Sequence, residues 1–113
     1  MSEPTFNLRI LTPFETRLDT QAVCVNAPGA EGRLGILAGH SPLIAGLEAG
    51  IVLVNTPEEE NRKPWSIDEG VLIATAQGVT ILTETAQTPE DLPEEAAAEL
   101  RNRAASLARA LPG

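Results

Sequence analysis

The chain has one histidine, His40, set in the glycine-rich stretch EGRLGILAGHSPLIAGLEAG (residues 31–50), with Ser41 beside it and one cysteine, Cys24, upstream. An imidazole can serve as a general base, as the partner of a thiol, or as a metal ligand, and each use demands further residues. A hydrolytic triad needs a nucleophile, a base and an orienting acid brought together from different parts of the chain. His40 and Ser41 are adjacent, so their side chains tend to diverge, and no G-x-S-x-G is present. Cys24 lies between Val23 and Val25 in an apparent strand, where a cysteine usually behaves as a small buried apolar residue. Zinc needs three or four ligands, which one His, one Cys and scattered carboxylates do not supply. The acids of PEEEN and TPEDLPEE lack the alternating pattern of a calcium loop and fit solvated loop and helix-start positions. A phosphate loop requires Lys-Ser/Thr after its last glycine and a following helix; here His40-Ser41-Pro42 follows instead. Residues 31–50 therefore read as a conformationally constrained surface, with no catalytic residue, metal or cofactor expected.

The composition points the same way. The 113 residues carry 42% apolar side chains, enough for one compact domain with a real core, and a formal charge of −8. That charge argues against nucleic acid, whose binding depends on neutralising phosphates, and against direct adhesion to anionic lipid. A single cysteine excludes an internal disulfide framework. No stretch approaches the ~18 apolar residues of a membrane helix, and MSEPTF has neither a basic leader nor an apolar signal core. The expectation is a soluble protein of a reducing compartment, reaching a membrane only through a partner.

The elements that hold these residues are mostly short strands. Phe6, Leu8 and Ile10 alternate with Asn7 and Arg9, the period of two that turns one face inward. A short piece at residues 16–19 follows, then a strand over residues 22–27 closed by Pro28-Gly29. Ile36-Leu37 and Leu43-Ile44 are apolar islands between glycines, and Ile51-Val52-Leu53-Val54 predicts a strand covered on both faces. Residues 55–64 (NTPEEENRKP) predict an exposed loop, and Gln77-Gly78 a tight hairpin between two apolar runs. Many short strands at this spacing imply a mainly β, antiparallel sandwich or barrel. After Thr88-Pro89 the period changes: Ala96, Leu100, Ala104, Leu107 and Leu111 recur at helical spacing. Asp91 is the expected N-cap, paired with Glu94, with Pro93 in the first turn and Leu111-Pro112-Gly113 ending the helix. The expected division is residues 1–87 as the β domain and 88–113 as the helix. Its apolar stripe either folds back on the strands or docks on another subunit.

The ordered motifs carry a resemblance. GRLGILAGHSPLIAGLEAG (residues 32–50) resembles the G-x-L-G-I-L-P-G-H-A-P-L-x-x-x-L-x-x-G signature of the epsilon subunit of F-type rotary ATP synthases, called delta in mitochondria. NLRILTPFETRLDTQAVCVNAPGAEG is similar to the family's first two strands. Asp68-Glu69-Gly70-Val71-Leu72 stands where the family has Gly-Gly-x-x-Glu-Val, and VTILTETA (residues 79–86) resembles its V-T-V-L-A-D-x-A ending. The resemblance covers about residues 6–91.

It implies a ten-stranded β-sandwich followed by C-terminal helices, of which only one helix-length segment fits here. It implies a non-catalytic subunit of the central rotor, cytoplasmic and peripheral to the inner (plasma) membrane. That subunit sits on the gamma subunit and the c-ring, with its helical part either packed down or reaching toward the alpha and beta subunits. By position, Ala30, Glu31, Gly32 and Arg33 and the turn His40, Ser41, Pro42 and Leu43 would face the c-ring and the base of gamma. Asp68 and Glu69 would face gamma. Residues 92–97 (LPEEAA) lack the Asp and Arg of the family's I/L-D-x-x-R-A nucleotide motif, and Arg33 stands at a position that is often acidic. A shortened form with little or no inhibitory or ATP-sensing function is the corresponding expectation. The competing reading is an independent β-sandwich module that binds a protein or small ligand.

Overall fold

A computed structural model of the chain describes residues 3–59 and 61–111. Ten strands precede one helix. They are β1 (Phe6–Leu11), β2 (Thr16–Ala22), β3 (Cys24–Gly29), β4 (Gly32–Leu37), β5 (Leu43–Leu47), β6 (Gly50–Asn55), β7 (Lys63–Ile67), β8 (Gly70–Thr75), β9 (Gly78–Thr83) and β10 (Ala86–Gln87). A 3₁₀ turn at Pro89–Asp91 leads into α1 (Glu94–Ala110). Hydrogen bonding runs β10-β7-β6-β3-β5-β8-β9-β1-β2, with β4 on β3. The β3–β5 link is a single residue pair, Gly29 with Leu47, so the ladder folds there into two layers. One core unites them: Val25, Ile36, Val52, Val54 and Trp65 from one layer meet Leu8, Ile10, Leu72, Val79 and Ile81 from the other.

Local sequence accounts for most of these elements. The alternation in β1 buries Phe6, Leu8 and Ile10 as expected. The β8–β9 hairpin turns through Ala76-Gln77, with Thr75 opposite Gly78. Gly78 has φ +144°, and a Cβ there would lie 2.5 Å from the Asn7 carbonyl oxygen, so only glycine serves. One pairing departs from the antiparallel rule: β1 lies parallel to β9.

Three expectations need correction. Ala22 closes β2 instead of opening β3, and β3 runs on through Pro28 to Gly29. Pro28 is tolerated because it sits opposite Arg33 without a ladder bond to it, while its carbonyl accepts the Glu48 N–H (2.8 Å). Thr88 is the N-cap of the 3₁₀ turn and Asp91 its N3 partner in a capping box, and the α-helix starts beyond Pro93; the Asp91–Glu94 box does not form. On the helix, Ala97 is buried and Ala96 exposed, with Leu100 and Ala104 continuing the buried stripe. The expected stop at Pro112-Gly113 lies outside the described residues.

The helix folds back. Leu100 and Ala104, flanked by Leu92, Leu107, Ala108 and Leu111, pack on Ile51 and Leu53 of β6. Val52 and Val54 of the same strand enter the sandwich core, which explains the unbroken apolar run of β6. Burying one such side chain contributes roughly 1.5–3 kcal/mol. Arg17 fixes the start of the helical segment. Its Nε donates to the Ala86 carbonyl (2.9 Å), its Nη2 to Asp91 Oδ2 (2.6 Å), and its guanidinium lies over the Trp65 ring (5.7 Å).

Candidate functional site

The residues expected at the partner surface fall into two groups at opposite ends of the neighbouring strands β4 and β5, which pair with β3 and β8 respectively. At one end, Ala30-Glu31 forms a two-residue turn between Gly29 and Gly32, and Gly32 takes φ +130°. Because Gly29 pairs with Leu47 and Leu47 with Gly70, the turns 30–31, 48–49 and 68–69 share that end. Asp68 and Glu69 form the last of these; Asp68 Oδ1 accepts the Glu69 N–H (3.0 Å), and the Thr83 hydroxyl lies within donating distance of either residue's carbonyl. At the other end, ~17 Å along the strands at about 3.3 Å per residue, the turn 38–42 carries His40, Ser41 and Pro42 beside the β8–β9 hairpin. Leu43 and the 30–33 turn flank one hollow between β4 and β5.

His40 is half-buried and turned onto its own chain. Its Nδ1 lies 3.1 Å from the Leu37 carbonyl oxygen and its Nε2 2.8 Å from that of Thr75, while its ring meets Phe6 edge-on. Both neighbours are acceptors, so a ring nitrogen that carries a proton donates to the carbonyl it faces. Neither nitrogen is left to activate a nucleophile. The ring tethers the 38–42 turn to the hairpin. Cys24 is half-buried, and burial pushes its thiol pKa up, partly offset by the Arg62 charge; it is a poor nucleophile near neutrality. Arg33 lies back across β3, its Nε donating to Asn26 Oδ1 (2.7 Å). Partial desolvation there lowers its pKa from the usual arginine value, and it remains charged. Among the described residues, no three His, Cys, Asp or Glu side chains gather as metal ligands would, and no helix is long and apolar enough to cross a membrane.

A surface that motif reading missed lies on the outer face of the β5-β8-β9-β1 layer. Gly46, Val71, Leu82 and Leu11 stand side by side across four strands, with Ile44 paired to Ile73 in a neighbouring row. Ile44 is 75% exposed, and Phe14, in the turn beyond β1, is 87% exposed. Val71 and Leu82 are also open to solvent. The one available signal was the run Val71-Leu72-Ile73, apolar on both phases of a strand whose second face has no covering element.

The β-sandwich model of the ATP synthase delta/epsilon chain matches residues 5–89. The chain belongs to that family. It is 37% identical to the ATP synthase epsilon chain of Rickettsia bellii over 112 residues, 98% of this chain and all of that one. The epsilon chain of Moorella thermoacetica is also 37% identical, over 96% of this chain and 80% of its own length. Among solved structures, a chain of the Euglena gracilis mitochondrial ATP synthase assembly with its c-ring superposes with a TM-score of 0.73. That match has 23% identity and covers 99% of this chain and 71% of that one. A chain from the Tetrahymena thermophila central stalk and c-ring gives 0.66 at 15% identity, covering 91% and 92%. These two establish likeness of fold. The ten-stranded sandwich followed by a helix, expected from the motifs, is the fold found.

Proposed function

We propose that this chain is the epsilon subunit of an F-type ATP synthase, a non-catalytic part of the central stalk that couples c-ring rotation to the gamma subunit. The observation that carries the reading is the apolar row Val71, Leu82 and Leu11, with Ile44 in the row beside it, on a sheet face that no other element among the described residues covers. Contiguous exposed apolar surface of this kind marks contact with another protein. Membership of the delta/epsilon family supports the gamma subunit and the c-ring as the partners. The inward use of both His40 nitrogens supports a mechanical role over a chemical one.

In this reading Ala30, Glu31, Gly32, Arg33, His40, Ser41, Pro42 and Leu43 line the side toward the c-ring and the foot of gamma, and Asp68 and Glu69 face gamma. The subunit is then peripheral to the membrane, on its cytoplasmic side. A pull-down with the gamma subunit of the same source should yield a stable one-to-one complex. A chain that stays alone beside its own gamma refutes the assignment.

The helix has reduced or no inhibitory action, because its apolar stripe is spent on Ile51 and Leu53. Deleting residues 89–113 should leave the ATPase activity of the assembled complex nearly unchanged. Strong activation on deletion contradicts this.

A further inference from the structure

β4 is an edge strand whose exposure is unguarded. Counting from the Gly29–Gly32 pair that closes the two-residue turn, the backbone groups of Gly32, Leu34 and Ile36 point to β3. Those of Arg33, Gly35 and Leu37 point away. The phase is confirmed at both strands: His40 reaches the Leu37 carbonyl from outside, and the Pro28 carbonyl opposite Arg33 is turned to Glu48. β5 presents a second free edge to the same seam, since the Gly46 carbonyl accepts the Ala30 N–H (3.0 Å) on the side away from β8. Among the described residues, the N–H and C=O of Arg33, Gly35 and Ile44 have no protein partner. A hollow of about 360 Å³ separates the two edges.

Proteins normally protect such edges with charge, proline or a bulge. Here the charge of Arg33 is folded back onto Asn26, and β5 (LIAGL) carries neither charge nor proline. The glycines add an independent observation. Gly29, Gly50, Gly70 and Gly78 are confined by close neighbours, and Gly32 and Gly39 by positive φ. Gly35 and Gly46 have ordinary φ and room for a Cβ, with no atom nearer than 3.9 Å. Nothing inside the chain requires glycine at either position, and both flank the seam. A glycine in a strand without an internal reason marks close approach by another backbone.

We infer that the seam between β4 and β5 accepts an extended segment of a rotor partner, paired as an added strand on the free edge of β4. This rests on the rotor assignment above. Unmet alternating N–H and C=O groups specify an extended backbone as the occupant, and the two glycines let it approach.

The test compares Gly35→Pro with Gly35→Ala in a rotor reconstituted from the gamma subunit and c-ring of the same source. Proline removes an outward N–H and no ladder bond to β3, a position where edge strands tolerate it. The expected result is a partial loss of affinity for Gly35→Ala, whose methyl group crowds the approach, and a larger loss, about tenfold or greater, for Gly35→Pro, the scale of a lost interfacial hydrogen bond with its register. Equal affinity of both variants with wild type, or equal loss in both, overturns strand addition. Failure of the wild-type chain itself to join the rotor overturns the functional assignment instead. Should Gly35→Pro unfold, amide exchange of the wild-type chain decides. The Gly35 amide should exchange freely in the isolated chain and about a hundredfold more slowly in the rotor, and an unchanged rate refutes the inference.

Discussion

Asp91 joins the sandwich to its helix, and replacing it with alanine should loosen that joint by a calculable amount. One carboxylate oxygen, Oδ2, accepts three hydrogen bonds: from the Thr88 N–H (2.8 Å), the Thr88 hydroxyl (3.0 Å) and Arg17 Nη2 (2.6 Å). Losing the hydrogen bonds from Thr88 costs about 1 kcal/mol. The side chains of Arg17 and Asp91 are 24% and 35% exposed, so the ion pair is weighted as a partly solvated one, at about 0.5 kcal/mol. The sum, about 1.5 kcal/mol, divided by an unfolding entropy of about 2.1 cal/mol/K per residue, lowers Tm by about 6 °C.

The pH dependence makes the test specific. The Thr88 backbone N–H, the Thr88 hydroxyl and the Arg17 charge together hold the Asp91 pKa below its ordinary value. A carboxyl whose pKa is lower folded than unfolded contributes fully above the unfolded value, about 3.9. That contribution is lost as pH falls through the folded value. The Tm gap between wild type and Asp91→Ala should therefore be full at pH 7 and shrink from about pH 4 downward. Thermal unfolding followed by circular dichroism at pH 7 and pH 2.5 measures it. A gap of the same size at both, or no gap at pH 7, refutes the account of this joint.

Two further substitutions separate folding from docking. A Cβ at Gly70 would lie 2.1 Å from the Leu82 carbonyl oxygen, a backbone atom that cannot yield cheaply. Gly70→Ala should cost about 2–3 kcal/mol in denaturant unfolding, and a loss under 0.5 kcal/mol, about the effect of an ordinary surface change, refutes the close approach. Ile44→Asp, at a largely exposed position, should cost at most about 1 kcal/mol of stability while weakening gamma binding about tenfold or more in a pull-down titration. Unchanged binding would remove the apolar row from the docking surface.

Much of this protein follows from local rules that its sequence displays. The alternation of Phe6, Leu8 and Ile10, the Gln77-Gly78 turn and the change of period after Pro89 depend on backbone geometry within a few residues, so strands, hairpin and helix are legible in order. Three matters depended on contacts between distant residues. Asp91 stood ready to cap an α-helix, but Thr88 and Arg17, one of them on β2, draw its carboxylate to the 3₁₀ turn. The stripe at Leu100 and Ala104 could have met any apolar surface, and only the packing of β6, covered by the core on one face and by the helix on the other, gave it Ile51 and Leu53. His40 sat between glycines with nothing nearby to direct it. Its orientation came from the Thr75 carbonyl, which belongs to a hairpin brought alongside by β5–β8 pairing. Local propensity fixes what each segment becomes, whereas burial and hydrogen bonding across the chain decide which face each side chain finally presents.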